Sequence, residues 1–144
     1  MFNQVVLALE YMHSHNFIHR DVHPSRIQQF SDKIVKFNTV GLPYNFKKLL
    51  KRDDFSGHIN YSAPELILER PGFSSKVDIW ALGCCLFYIL HKKDPFDGKD
   101  PIDVKQRILD FNIEKIPQLN ENTPTKYLLQ ACFNYEDSLR PSCS

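Results

Sequence analysis

The twelve residues from Ile79 to Leu90 carry no charged side chain and read Ile-Trp-Ala-Leu-Gly-Cys-Cys-Leu-Phe-Tyr-Ile-Leu. A helix made of them is apolar all round rather than along one stripe, so the chain has to build a core on every side of it. The run falls short of the ~20 residues that cross a bilayer and reads as a buried central helix. Ser74-Ser75 precedes it and Lys92-Lys93-Asp94-Pro95 breaks it.

Shorter elements are predicted around this helix. Val5, Val6, Leu9, Tyr11 and Met12 recur at helical intervals, so Phe2 to His15 is expected to form an amphipathic helix packed on the central one. Ile27-Gln28-Gln29-Phe30 and Ile34-Val35-Lys36-Phe37 are strand candidates joined by the polar turn Ser31-Asp32-Lys33. Leu42 to Ser56 has little periodicity and reads as a solvated, mobile loop. Pro64 to Leu68 is a short helix with Pro in its first turn. Asp100-Pro101 opens a helix reaching about Phe111. Thr123-Pro124 opens the last one, with Tyr127, Leu128, Ala131 and Cys132 as its expected buried stripe. With 144 residues, 42% apolar and 24% charged, the chain suits one mainly α domain over residues 1–144.

Between the first helix and the strands lies His19-Arg20-Asp21-Val22-His23-Pro24-Ser25-Arg26-Ile27. This run resembles the catalytic loop of the eukaryotic protein kinases, whose usual form is His-Arg-Asp-Leu-Lys-Pro-Glu-Asn. His19, Arg20, Asp21 and Pro24 match. Further landmarks follow in the family's order. Gly57-His58-Ile59-Asn60-Tyr61-Ser62-Ala63-Pro64-Glu65 resembles Gly-Thr-x-x-Tyr-x-Ala-Pro-Glu, and Asp78-Ile79-Trp80-Ala81-Leu82-Gly83-Cys84 resembles Asp-x-Trp-Ser-x-Gly-Cys; Pro95-Phe96 and Arg140-Pro141 complete the series. The resemblance implies a C-terminal lobe of the kinase fold, with the central helix buried and a short β-hairpin beside the catalytic-type loop. It implies a buried Glu65–Arg140 ion pair. Asp78 has two readings: a capping-box partner of Ser75, or the family's acceptor for backbone N–H groups around His19 and Arg20. No Gly-x-Gly-x-x-Gly loop or Val-Ala-x-Lys strand occurs, so the small lobe is expected to be absent and the chain to be a fragment or shortened gene product.

The departures fall on the chemistry. Kinases hold nucleotide-bound magnesium with the loop Asn and with the Asp of Asp-Phe-Gly, because hard cations need oxygen ligands. Arg26 stands at the first position; eighteen residues after Asp21, Thr39-Val40-Gly41 stands at the second. His23 replaces the phosphate-contacting Lys, and Gln28 replaces an apolar residue under the adenine ring. Asp21 keeps the proton-acceptor position, with hydrogen bonding to Arg26 or loop backbone as its structural alternative. Arg20 either receives a phosphorylated residue, for which Ser56 and Tyr44 are candidates, or pairs with a nearby carboxylate. The expected function is a catalytically impaired pseudokinase acting through protein partners, with no cofactor. The alternative is a divergent serine/threonine kinase using ATP and magnesium.

Eighteen basic against seventeen acidic residues give a net charge of +1, which offers no electrostatic basis for nucleic acid or anionic membrane as a partner. Cys84, Cys85, Cys132 and Cys143 lack metal-binding spacing and read as reduced thiols of a cytoplasmic or nuclear protein. The N-terminus has neither the basic flank nor the cleavage site of a secretory leader. His13, His15, His19 and His23 do not have the spacing of a metal cluster, so no metal is expected.

Overall fold

A computed structural model describes residues 2–31, 34–38, 42–43, 58–112 and 123–143, with backbone only at 42–43. Helices α1 (Phe2–Ser14), α2 (Pro64–Ile67), α3 (Lys76–His91), α4 (Pro101–Leu109) and α5 (Pro124–Cys132) make up most of it. Strands β1 (Phe17–Ile18), β2 (Ile27–Ser31), β3 (Ile34–Phe37) and β4 (Leu42–Pro43) form two antiparallel pairs, β1 with β4 and β2 with β3. The fold is thus mixed, with helices predominating.

Helix α3 is enclosed over its first three turns, where every residue from Val77 to Cys85 is buried, as is Phe87; Tyr88 and Leu90 in its last turn are exposed, against the expectation of burial through Leu90. Trp80 is wholly buried among Phe96, Phe111 and Phe133, stacked on the first with ring centroids 5.5 Å apart and edge-on to the other two. Gly83 is where α5 crosses. A Cβ there would lie 2.8 Å from Cys132 Cβ, so only glycine permits this approach. The helix ends at Lys92, left-handed at φ 57°, whose N–H donates to Tyr88 O at 2.8 Å.

The shorter helices start as their caps dictate. Asp100 Oδ1 accepts from the amides of Ile102 and Asp103, and Thr123 Oγ1 accepts from Lys126 N, each with Pro in the first turn. Each such cap contributes ~1 kcal/mol.

Several expectations need correction. In α5 the buried residues are Lys126, Leu129 and Cys132, whereas Tyr127 and Leu128 are exposed. The approach of α5 to Gly83 decides which of its faces is inward; of the expected stripe Cys132 is buried and Tyr127 and Leu128 are not. Tyr11 of α1 is also exposed. That helix packs mainly on β1 and β3 rather than on α3, which it meets through His13 Nε2 and Asp78 Oδ2 at 2.8 Å. Leu42-Pro43, read as loop, pairs with β1 in the register Phe17↔Pro43 and Ile18↔Leu42. The β2–β3 hairpin carries a bulge between Gln29 and Ser31, and Gln28, Gln29 and Phe30 are exposed. Ser75 makes no side-chain cap, so Asp78 is free to serve elsewhere.

Candidate active site

The loop after β1 hangs on one buried carboxylate. Asp78, 0% exposed, accepts the amide of His19 on Oδ2 at 2.8 Å and that of Arg20 on Oδ1 at 2.7 Å. A buried charge is tolerable only when it is hydrogen-bonded in this way, and His13 supplies the third contact. Two successive amides bind the same carboxylate because Arg20 adopts φ 65°, a left-handed turn that non-glycine residues seldom take. Next, His19 Nδ1 accepts from Asp21 N at 3.2 Å, and the His19 ring lies 4.4 Å from that of Phe37. Arg20 places its guanidinium 5.2 Å from the centre of the Phe73 ring.

Asp21 lies in the middle of the loop with its two oxygens differently engaged. Arg26 Nε donates to Oδ2 at 2.6 Å, while Oδ1 faces His23 Nε2 at 3.4 Å without a hydrogen bond. Pro24 to Arg26 forms a single 3-10 turn, and Arg26 N donates to His23 O, which brings Arg26 back toward Asp21. His23 is 2% exposed and engages Ser25 Oγ through Nδ1 at 2.8 Å. Its ring stacks on His58 with centroids 3.8 Å apart. Burial first, then the neighbouring His58, holds the His23 pKa below the usual imidazole value.

Behind this pair Tyr61 donates its hydroxyl to Asp94 Oδ1 at 2.5 Å and Asn60 donates to Asp94 Oδ2 at 3.1 Å, which ties the 59–61 turn to the segment after α3. Burial and the Asp94 carboxylate push the Tyr61 pKa far up, so the phenol stays protonated. Arg20, Asp21, Val22, His58, Tyr61 and Ser62 line a small cleft here. At the far end, Arg140 and Glu65 form the buried pair.

The structure therefore gathers His19, Arg20, Asp21, His23, Pro24 and Arg26 in one loop; Gln28 points to solvent on β2, and Thr39 and Val40 lie outside the described residues, as do Tyr44 and Ser56. The four histidines considered as a cluster are dispersed: His13 binds Asp78, His15 contacts Tyr11 O, and His19 and His23 lie against different partners. Sequence reading missed His58 as a site residue, although it stands where the resembled segment has Thr. It also missed the roles of His13 and Asp94.

Comparison with known proteins fits this geometry. The sequence profile described as "Protein kinase domain" matches residues 1–144. The chain belongs to the protein kinase family. Among individual kinases it is similar to sperm motility kinase 2B of Mus musculus, 35% identical over 109 residues, which is 76% of this chain and 22% of that protein. Serine/threonine-protein kinase Nek6 of Oryza sativa subsp. japonica is 31% identical over 144 residues, 98% of this chain and 26% of the relative. Serine/threonine-protein kinase plk-1 of Caenorhabditis elegans is 32% identical over 140 residues, 97% and 21% respectively. The chain spans between 21% and 26% of the length of these kinases. Among the described residues no helix is long and apolar enough to cross a membrane.

The kinase family binds magnesium with ATP through oxygen ligands in octahedral geometry; at the loop Asn position this chain has Arg26, whose guanidinium lies 2.6 Å from Asp21 Oδ2 and offers no oxygen.

Proposed function

We propose that this chain is the C-terminal lobe of a kinase fold that has lost phosphotransfer and works as a protein-interaction or regulatory module. The observation that carries the reading is Arg26: it occupies the metal-ligand position and is bonded to the one retained chemical residue, Asp21. A guanidinium repels a divalent cation and cannot coordinate it. The contacts that build the lobe, Asp78 on the loop amides and Glu65 on Arg140, are kept, while His23, Arg26, Gln28 and Thr39 stand in the places of chemistry. The occupant of the open face beside Phe37 is the family's small lobe or another protein, and the working surface is the segment from 57 to 61 with α4. Its free thiols support a reducing compartment, the cytoplasm or nucleus.

The competing reading is a divergent serine/threonine kinase, favoured by the retained Asp21 and by the names of its relatives. In that case Mg-ATP is the cofactor and Asp21 the proton acceptor. Calorimetric titration of the full chain with Mg-ATP separates the two: the module gives no magnesium-dependent binding at millimolar nucleotide. A pull-down comparing Asp21→Asn with reversal of the exposed Lys105 and Arg107 completes the test. Partner loss on charge reversal alone supports the module; phosphorylation lost in Asp21→Asn overturns it.

A further inference from the structure

Asp21, His23 and His58 each offer a ligand atom, all within 4.8 Å of one another, and they come from two segments 35 positions apart in the chain, 23 against 58. The Asp21 Oδ1 to His23 Nε2 separation is 3.4 Å, and among the described residues neither of these buried atoms has a hydrogen-bond partner. From metal–ligand bonds of ~2.0–2.1 Å, adjacent ligands of a tetrahedral zinc lie ~3.3 Å apart, so this pair already spans one edge of such a tetrahedron. With the His23 proton on Nδ1, Nε2 presents a lone pair to Asp21 Oδ1, and two buried electron-pair donors so placed are left with their desolvation uncompensated.

We propose that Asp21, His23 and His58 form a binding site for a divalent transition metal of the zinc type, separate from the magnesium positions of the kinase family. Two imidazoles with one carboxylate suit zinc, whereas magnesium takes oxygen ligands. The outer contacts are those of a metal centre. Ser25 Oγ lies 2.8 Å from His23 Nδ1 and can accept its N–H, the tautomer that leaves the Nε2 lone pair to a metal. Arg26 holds Asp21 Oδ2 and so orients Oδ1 inward as a single ligand atom. His58, exposed and stacked on His23, is the ligand that turns to close the site. The fourth position is left to water or to a partner's side chain. Bound metal would fasten the 58–61 segment to the catalytic-type loop. It would use Asp21 as a ligand rather than a base, so the site stands or falls independently of the Mg-ATP test.

The experiment uses the full chain after chelator treatment, titrated with Zn²⁺ alone by calorimetry and with Co²⁺ by absorption. Expected are one metal ion per chain and cobalt d–d bands without a thiolate charge-transfer band. Ser25→Ala is expected to weaken zinc binding by roughly 10- to 100-fold through loss of the outer contact. His58→Ala is expected to weaken it at least as much while leaving the melting temperature of the metal-free chain unchanged, because His58 is exposed. His15→Ala, at an exposed position just after α1, keeps the affinity of the unaltered chain. Absence of stoichiometric binding, a thiolate band, or undiminished binding in His58→Ala overturns the proposal.

Discussion

Arg140 and Glu65, 75 positions apart in the chain, meet end-on: Nη1 donates to Oε1 at 2.6 Å and Nη2 to Oε2 at 2.8 Å. The same guanidinium also serves the carbonyls of Lys76, Asn134 and Tyr135 and lies 5.1 Å from the centre of the Trp80 ring. Removing it leaves a buried carboxylate and three carbonyls without their donor. Arg140→Ala is therefore expected to lose ~3–5 kcal/mol, measured by urea unfolding. Arg140→Lys should recover only part of this, since an ammonium has no planar fork. A loss below ~1 kcal/mol in Arg140→Ala would show the pair to be incidental.

Asp78→Asn keeps the volume but leaves one acceptor oxygen where two amides and His13 now converge. Hydrogen bonds to a charged group contribute ~1.5–3 kcal/mol each, so a stability loss of that order is expected. The amides of His19 and Arg20 should exchange hydrogen faster while those of α4 do not change. Uniform acceleration across the chain would instead mean that Asp78 supports the whole fold equally.

Gly83→Ala opposes two effects. Alanine is favoured over glycine within a helix by ~1 kcal/mol. The new methyl, however, would sit 2.8 Å from Cys132 Cβ, an atom fixed by the backbone, and 3.1 Å from the buried Phe133 ring. Overpacking of this kind costs ~1–3 kcal/mol, so net destabilisation is expected in thermal unfolding. A raised melting temperature would mean that α5 moves aside freely.

Alkaline pH should loosen the fold through its thiols. Burial pushes Cys132 and Cys143 up to about 11 and Cys85 up to about 12. The folded protein thus keeps protons that the unfolded chain, with ordinary thiols near ~8.5, has already released. The sign follows: this contribution to stability is complete below ~8.5 and declines as pH rises toward ~11. Asp78 and Glu10 raise the Cys143 value further and Lys76 opposes them. Melting temperatures recorded across that range should fall, and Cys143→Ser should flatten part of the slope. An unchanged slope would show that Cys143 ionises no later when folded than unfolded.

Much of the architecture was legible from local chemistry. Asp100-Pro101 and Thr123-Pro124 announce their helices because a capping oxygen and a proline act within four residues. The charge-free run at 79–90 predicted a buried helix, which holds through Cys85 and at Phe87, whereas Tyr88 and Leu90 at its end are exposed. The kinase landmarks added which residues meet, Asp78 with the loop and Glu65 with Arg140. What stayed hidden was phase and partnership: Tyr127 and Leu128 looked buried, and Tyr11 did too, because periodicity alone does not decide which face turns inward.

The order of residues by itself carried the resemblance to the kinase family, the central helix and the departures at Arg26 and Thr39 from the family's motifs, because each is written in the identity of residues close together in the chain. Tertiary structure alone decided that Arg26 reaches Asp21, that His13 joins Asp78, and that His58 stacks on His23 from 35 positions away, 23 against 58. Side-chain reach and the left-handed turn at Arg20 fix those meetings, and neither has a signature in the order of the residues.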